Sequence, residues 1–188
     1  MLRRIYLLFF YPRAEWDEIA REPISVNALI RSYILPLSLL APFATVFGMK
    51  TFDARWDAVT GFLVPEAEIY AAGAATLFGS IASIFLLAGI FRLIAPMYGS
   101  SRNFAAALKV ATFGAIPVLL AGATLIMPVM VMVSVVAMCH TLYLYWLGVH
   151  HVLQVKAGSQ AEFIGISITL LGAASTLAGA LASRLGLL

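Results

Sequence analysis

Five stretches of this sequence are long and apolar enough to cross a lipid bilayer as helices: Ala28 to Met49, about Ile69 to Ala95, about Phe104 to Met127, about Val129 to Leu153, and about Phe163 to Ser183. A helix rises about 1.5 Å per residue, so roughly 20 mostly apolar residues cover about 30 Å of hydrocarbon. These runs are continuously apolar and lack the alternation of lipid-facing and lumen-facing residues that barrel strands need. The fold class expected is therefore an all-α, polytopic transmembrane bundle of about five spans. Residues 1–27 form a cytoplasmic or interfacial N-terminal segment, and residues 28–188 form the membrane domain.

Composition agrees, because a chain of 188 residues that is 62% hydrophobic and 11% charged cannot hide its apolar surface in one soluble core. The connections carry the breakers. Lys50 to Glu68 holds Asp53, Asp57, Glu66 and Glu68 with Pro65, and reads as an ordered or interfacial loop. Pro96 to Arg102, the Met127-Pro128 turn and Ala157 to Gln160 separate the later helices. The Met127-Pro128 turn is so short that one kinked or re-entrant element is an alternative there.

Basic residues set orientation. Arg3, Arg4, Arg13, Arg21, Arg31, Arg92, Arg102, Lys109 and Lys156 fall on one side, against Lys50, Arg55 and Arg184 on the other. The N-terminus is expected to be cytoplasmic. Residues 1–10 lack the long apolar run and the cleavage site of a leader, and are expected to be retained as a short interfacial helix with Arg3 and Arg4 at the headgroups. No nucleic-acid surface is expected, since no run of Lys or Arg is dense enough.

Few residues offer chemistry. His140 falls near the middle of the fourth span, where an ionisable group needs a protein partner or a wet cavity. With Tyr143, Thr141 and Tyr145 it is the candidate intramembrane polar site. The plainer expectation is a neutral imidazole hydrogen-bonded between helices. Arg31 and Lys109 are candidate lipid-headgroup contacts, snorkelling from near the helix ends. Trp16, Ile19 and Glu22, in the amphipathic segment Glu15 to Pro23, are candidates for docking a partner; a solvated surface helix is the simpler expectation. Pro36, Pro42 and Pro117 each remove a backbone donor and should kink their spans, which shapes cavities.

Small residues recur four apart at Ala75, Gly79 and Ser83 and at Ser175, Gly179 and Ser183. Such ridges pack helices internally or form a homodimer seam, and internal packing is the expectation. His150 and His151 are adjacent and diverge by about 100° on a helix, so they do not chelate one metal together. Cys139 is the only cysteine. No metal, cofactor or catalytic residue is expected, and the chain is read as a non-enzyme.

The order of short motifs carries a resemblance. Tyr11-Pro12 leads through Trp16, Ile19-Ala20 and Glu22-Pro23 into Tyr33-Ile34-Leu35-Pro36-Leu37; Tyr98-Gly99 to Phe104 precedes Ala115-Ile116-Pro117, and Leu142-Tyr143-Leu144-Tyr145-Trp146-Leu147-Gly148 follows. Together they resemble a compact bacterial-type member of the Yip membrane family, whose eukaryotic members interact with Ypt/Rab GTPases. The resemblance implies five spans with a cytoplasmic N-terminus, and the compact form points to a bacterial inner membrane; the partners expected are membrane lipids and a membrane protein or a second copy. This sequence lacks the long cytoplasmic N-terminal region of the eukaryotic members, so GTPase binding is not carried over. The function expected is to organise membrane or protein partners, with lipid held between kinked helices. The alternative is a small-solute or proton-coupled transporter or channel with a polar path near His140.

Overall fold

A computed structural model describes residues 1–51, 64–126 and 130–184. The described residues are helical, with no strand among them. Two short helices, α1 (Leu2–Phe10) and α2 (Pro12–Arg21), form an N-terminal hairpin. Pro12 stands in the first turn of α2, where its missing N–H would be unpaired anyway.

The first crossing, α3, runs Val26–Thr51. Ser25 caps it, its Oγ accepting from Ala28 N at 3.2 Å. Both prolines disturb it as expected. Ahead of Pro36 the helix widens into a π turn at Ile30–Ile34, with Leu35 N–H donating to Ile30 O; Pro36 has no N–H and its ring crowds the carbonyl four residues back. The helix breaks again at Leu39, before Pro42.

The second, α4, is Glu66–Ile94, with Glu66 and Glu68 in the first turn and Arg92 in the last, the arrangement that suits the helix dipole. It tightens into a 3-10 turn over Ala95–Tyr98 and ends at Gly99, whose φ of 75° is the left-handed value glycine adopts without strain. Helix α5 (Phe104–Gly114) starts under the Asn103 side chain, which accepts from Ala105 N at 3.0 Å and Ala106 N at 3.2 Å. It meets α6 (Ile116–Ile126) at a 43° bend beside Pro117. Helices α7 (Val131–His151) and α8 (Gln160–Arg184) complete the chain. Four of these helices are long and apolar enough to cross a membrane, and the bent pair α5–α6 gives five when counted as one crossing. The Met127-Pro128 turn, with Asp53, Asp57 and Arg55 of the loop after α3, lies outside the described residues.

Water drives little of the packing between membrane helices, so close fit has to hold them together. The fit is made at glycines other than those of the expected ridges. A Cβ on Gly48 would lie 2.7 Å from Ile126 O, one on Gly122 2.7 Å from Ala41 Cβ, and one on Gly73 2.6 Å from Val46 Cγ2. These contacts seat α3 against α4 and α6. A Cβ on Gly79 or Gly179 would meet nothing within 4 Å. Internal packing through those two ridges is therefore corrected. Gly79 faces outward on α4, and α8 buries only Gln160, Phe163, Ile164 and Ser167, so its later turns stand clear of the bundle.

An aromatic ladder fills the centre at the hairpin end. Phe113 meets Trp16 and Tyr33 edge-on at 6.4 and 4.9 Å between centroids, and Phe91 meets Tyr145 at 5.9 Å and Phe163 at 5.4 Å. Pairs of this geometry each contribute about 0.5–1.5 kcal/mol beyond the area they cover.

Candidate functional site

The N-terminal hairpin is not laid on a surface; it is inserted into one end of the bundle. Trp16 and Ile19 are fully buried. The Trp16 ring sits against Gly148 of α7, where a Cβ would come within 2.6 Å of its Cη2. Asp17 Oδ1 lies 2.7 Å from His151 Nδ1 at the end of the same helix. Two of the three candidate docking residues are thus core, and the surface-helix expectation gives way as well. The apolar face that looked available for a partner is covered by α5 and α7. Glu22 alone of the three reaches solvent.

Lys109, one and a half turns into α5, does not reach for headgroups. It is 8% exposed, and Nζ donates to Ile19 O at 2.9 Å and Glu22 O at 2.6 Å. Those carbonyls belong to the open C-terminal turn of α2, where a cation complements both the unpaired acceptors and the helix dipole. Snorkelling fails because α2 itself stands over the lysine. Arg31 is exposed on α3.

Arg4 also turns inward, against the expected headgroup position. Its Nε donates to Glu15 at 2.7 Å and its Nη2 to Glu22 at 2.5 Å, with the guanidinium over the Phe113 ring at 5.5 Å. Burial opposes the charge, but Glu22 and Glu15 outweigh it and raise Arg4 above its ordinary value. This cluster is not legible in the sequence because Arg4 stands on α1 while Glu15 and Glu22 stand on α2 and at its end, 11 and 18 residues later, so no neighbouring turns of one helix connect them.

The four residues grouped around His140 divide between two faces of α7. Thr141 and Tyr145 point inward and are 5% and 7% exposed. His140 and Tyr143 point toward α1, with the imidazole stacked on Phe9 at 4.9 Å and 9° between planes, and 6.0 Å from Tyr143. His140 Nε2 is buried with no hydrogen-bond partner among the described residues, which corrects the expected bond between helices.

The inward pair lines the feature that the kinks build. Beside the bend at Ala115, a mainly apolar cavity of about 320 Å³ opens among α4, α6, α7 and α8, bounded by Ile84, Leu87, Leu119, Thr141, Tyr145 and Leu171. Thr141 Oγ1 is buried there without a partner among the described residues. Among the described residues no group of three His, Cys, Asp or Glu side chains is placed to hold a metal ion.

No curated protein and no solved structure matches the chain significantly. The family model described as Yip1 domain matches residues 6–179. That match runs from the hairpin through most of α8, so with its apolar helices this chain is an integral membrane protein and belongs to the Yip1 domain family.

Proposed function

We propose that this chain is a non-enzymatic member of its family that holds membrane lipid and thereby organises membrane or protein partners. The observation that carries the reading is the cavity at the bend. Pro117 frees a backbone carbonyl and bends the crossing by 43°, so α5 and α6 diverge from a straight line where α4, α7 and α8 meet them. The resulting space, about 320 Å³, falls within the roughly 300–1,000 Å³ of small-molecule sites. Its apolar walls suit an acyl chain entering from the bilayer.

The place proposed is the bacterial inner membrane, with the N-terminus in the cytoplasm. Support comes from the basic residues of the hairpin, with Arg31, Arg92, Arg102 and Lys156, at one end of the bundle, against Lys50 and Arg184 at the other. Arg31 remains the candidate headgroup contact on α3. A polar path past His140 and Tyr143 has less support, because the Phe9 ring covers the imidazole.

The test is extraction of the full chain into native lipid nanodiscs, with native mass spectrometry of the retained lipid. Retained stoichiometric lipid, lost in Ala115→Phe and in Ser83→Phe while helicity is kept, is the expected result. A bare protein, or lipid retained equally by both variants, would defeat the reading.

A further inference from the structure

We propose that the groove between α1 and α2 binds the headgroup of a zwitterionic phospholipid bearing a primary amine and a phosphate, the phosphoethanolamine type. This site is separate from the cavity at the bend. The groove has a volume of about 610 Å³, with Arg3 and Arg4 on the α1 side, Glu15 and Glu18 on the α2 side, and Glu22 and Tyr33 closing it. Its inner charges are already matched, since Arg4 is held by Glu15 and Glu22. Arg3 and Glu18 remain, one on each wall, with the Met1 amine beside Arg3; all are exposed and none is in an ion pair among the described residues.

A free guanidinium on one wall and a free carboxylate on the other complement a headgroup that carries both charges. The phosphate meets Arg3, whose planar fork suits two phosphate oxygens. The ammonium donates to Glu18. With the Met1 amine, Arg3 and Arg4 against Glu15, Glu18 and Glu22, the lining charges balance, and a headgroup with negative charge alone would leave Glu18 unmatched beside it. A quaternary amine fits poorly as well, since it has no N–H to donate.

The surroundings favour a bilayer lipid over a soluble ligand. Next to the groove, α1 exposes Leu2, Tyr6 and Phe10 at 76%, 55% and 66%. The same helix lays Phe9 over His140, midway along α7, so its apolar face lies beside a membrane span. Tyr33 lies seven residues into α3, about 10 Å along the helix, and α3 has 26 residues, roughly 39 Å against a hydrocarbon thickness of about 30 Å. A groove at this depth is within reach of the headgroup layer, with acyl chains running along α1.

The test uses the full chain with an equimolar mixture of phosphatidylethanolamine, phosphatidylcholine and phosphatidylglycerol of the same chains, read by native mass spectrometry. Phosphatidylethanolamine should be retained over both others. Arg3→Gln and Glu18→Gln should each lower that retention about tenfold, the loss expected for one charge-assisted hydrogen bond. Both residues lie outside the Arg4 cluster and the core, and unchanged helicity confirms that the variants fold. Preference for phosphatidylglycerol, equal retention of the choline lipid, or unchanged retention in both variants would overturn the proposal. Displacement of the retained lipid by soluble phosphoethanolamine at a concentration no higher than that of the lipid would also overturn it, by showing that the chains along α1 add nothing. The Ala115→Phe variant separates the two sites: it should leave the phosphatidylethanolamine preference intact whatever becomes of lipid at the bend.

Discussion

Lys109 Nζ lies 2.6 Å from the carbonyl oxygen of Glu22, 87 residues earlier in the chain, and joins the third crossing to the C-terminal end of α2. With the second bond to Ile19, this amino group fastens the hairpin to the bundle without a side-chain carboxylate in contact among the described residues. Lys109→Met keeps the length of the side chain and removes the donor. Hydrogen bonds to a charged group contribute about 1.5–3 kcal/mol, so local opening of the hairpin should rise tenfold or more. Trypsin cleavage at Arg13 and Arg21, both exposed on α2, reads that opening. Unchanged cleavage would mean that burial of Trp16 and Ile19 alone holds the hairpin.

The two carboxylates on Arg4 should differ in weight. Glu15 is 8% exposed and Glu22 is 44% exposed at the side chain. An exposed pair contributes about 0–1 kcal/mol, whereas removing one partner of a buried pair costs about 3–5 kcal/mol at full burial. Glu15→Gln should therefore lower the unfolding midpoint in mild detergent clearly more than Glu22→Gln. A double-mutant cycle with Arg4→Met should show coupling concentrated on Glu15. Equal coupling to both would show that solvent reaches the inner pair.

Trp16 and Gly148 fit one another, and the fit is testable by adding one methyl group. A Cβ on Gly148 would stand 2.6 Å from the indole, while one on Gly79 would meet open space. Replacing Gly by Ala in a helix by itself favours folding by roughly 0.5–1 kcal/mol. Gly79→Ala should accordingly be neutral or stabilising. Gly148→Ala should destabilise and, with Trp56 and Trp146 changed to Phe, should red-shift the emission of Trp16 as it leaves its seat. A blue-shifted or unmoved spectrum would show that α2 accommodates the methyl by sliding.

The spans could be read from the sequence because lipid imposes one requirement on every turn of helix, and a run of apolar residues satisfies it visibly. Pro36, Pro42 and Pro117 announced their irregularities because a missing N–H acts within one turn. What eluded the sequence was every contact that joins distant turns. Lys109 looked like a snorkelling lysine because nothing near it in sequence places Ile19 and Glu22 above it. Gly148 stood out only as the end of the Leu142 to Gly148 motif, while its role depends on a tryptophan 132 positions earlier. The ridges at Gly79 and Gly179 had the right spacing for close packing, but spacing cannot say which face of a helix meets a neighbour.

The buried hydroxyl of Thr141 distinguishes what fills the cavity at the bend. Its Oγ1 has no partner among the described residues, and an unsatisfied buried hydroxyl costs about 1–3 kcal/mol. Valine has nearly the same shape and no such group. If the occupant is an acyl chain, Thr141→Val should raise the thermal midpoint and leave lipid retention as it is or higher. If a carbonyl or hydroxyl of a lipid reaches that depth and bonds to Oγ1, the same change should reduce retention about tenfold, the equivalent of a bond of about 1.4 kcal/mol. Thermal unfolding and native mass spectrometry on one nanodisc preparation decide between the two, because the midpoint rises with retention kept only in the first case, whereas loss of a bound lipid lowers both.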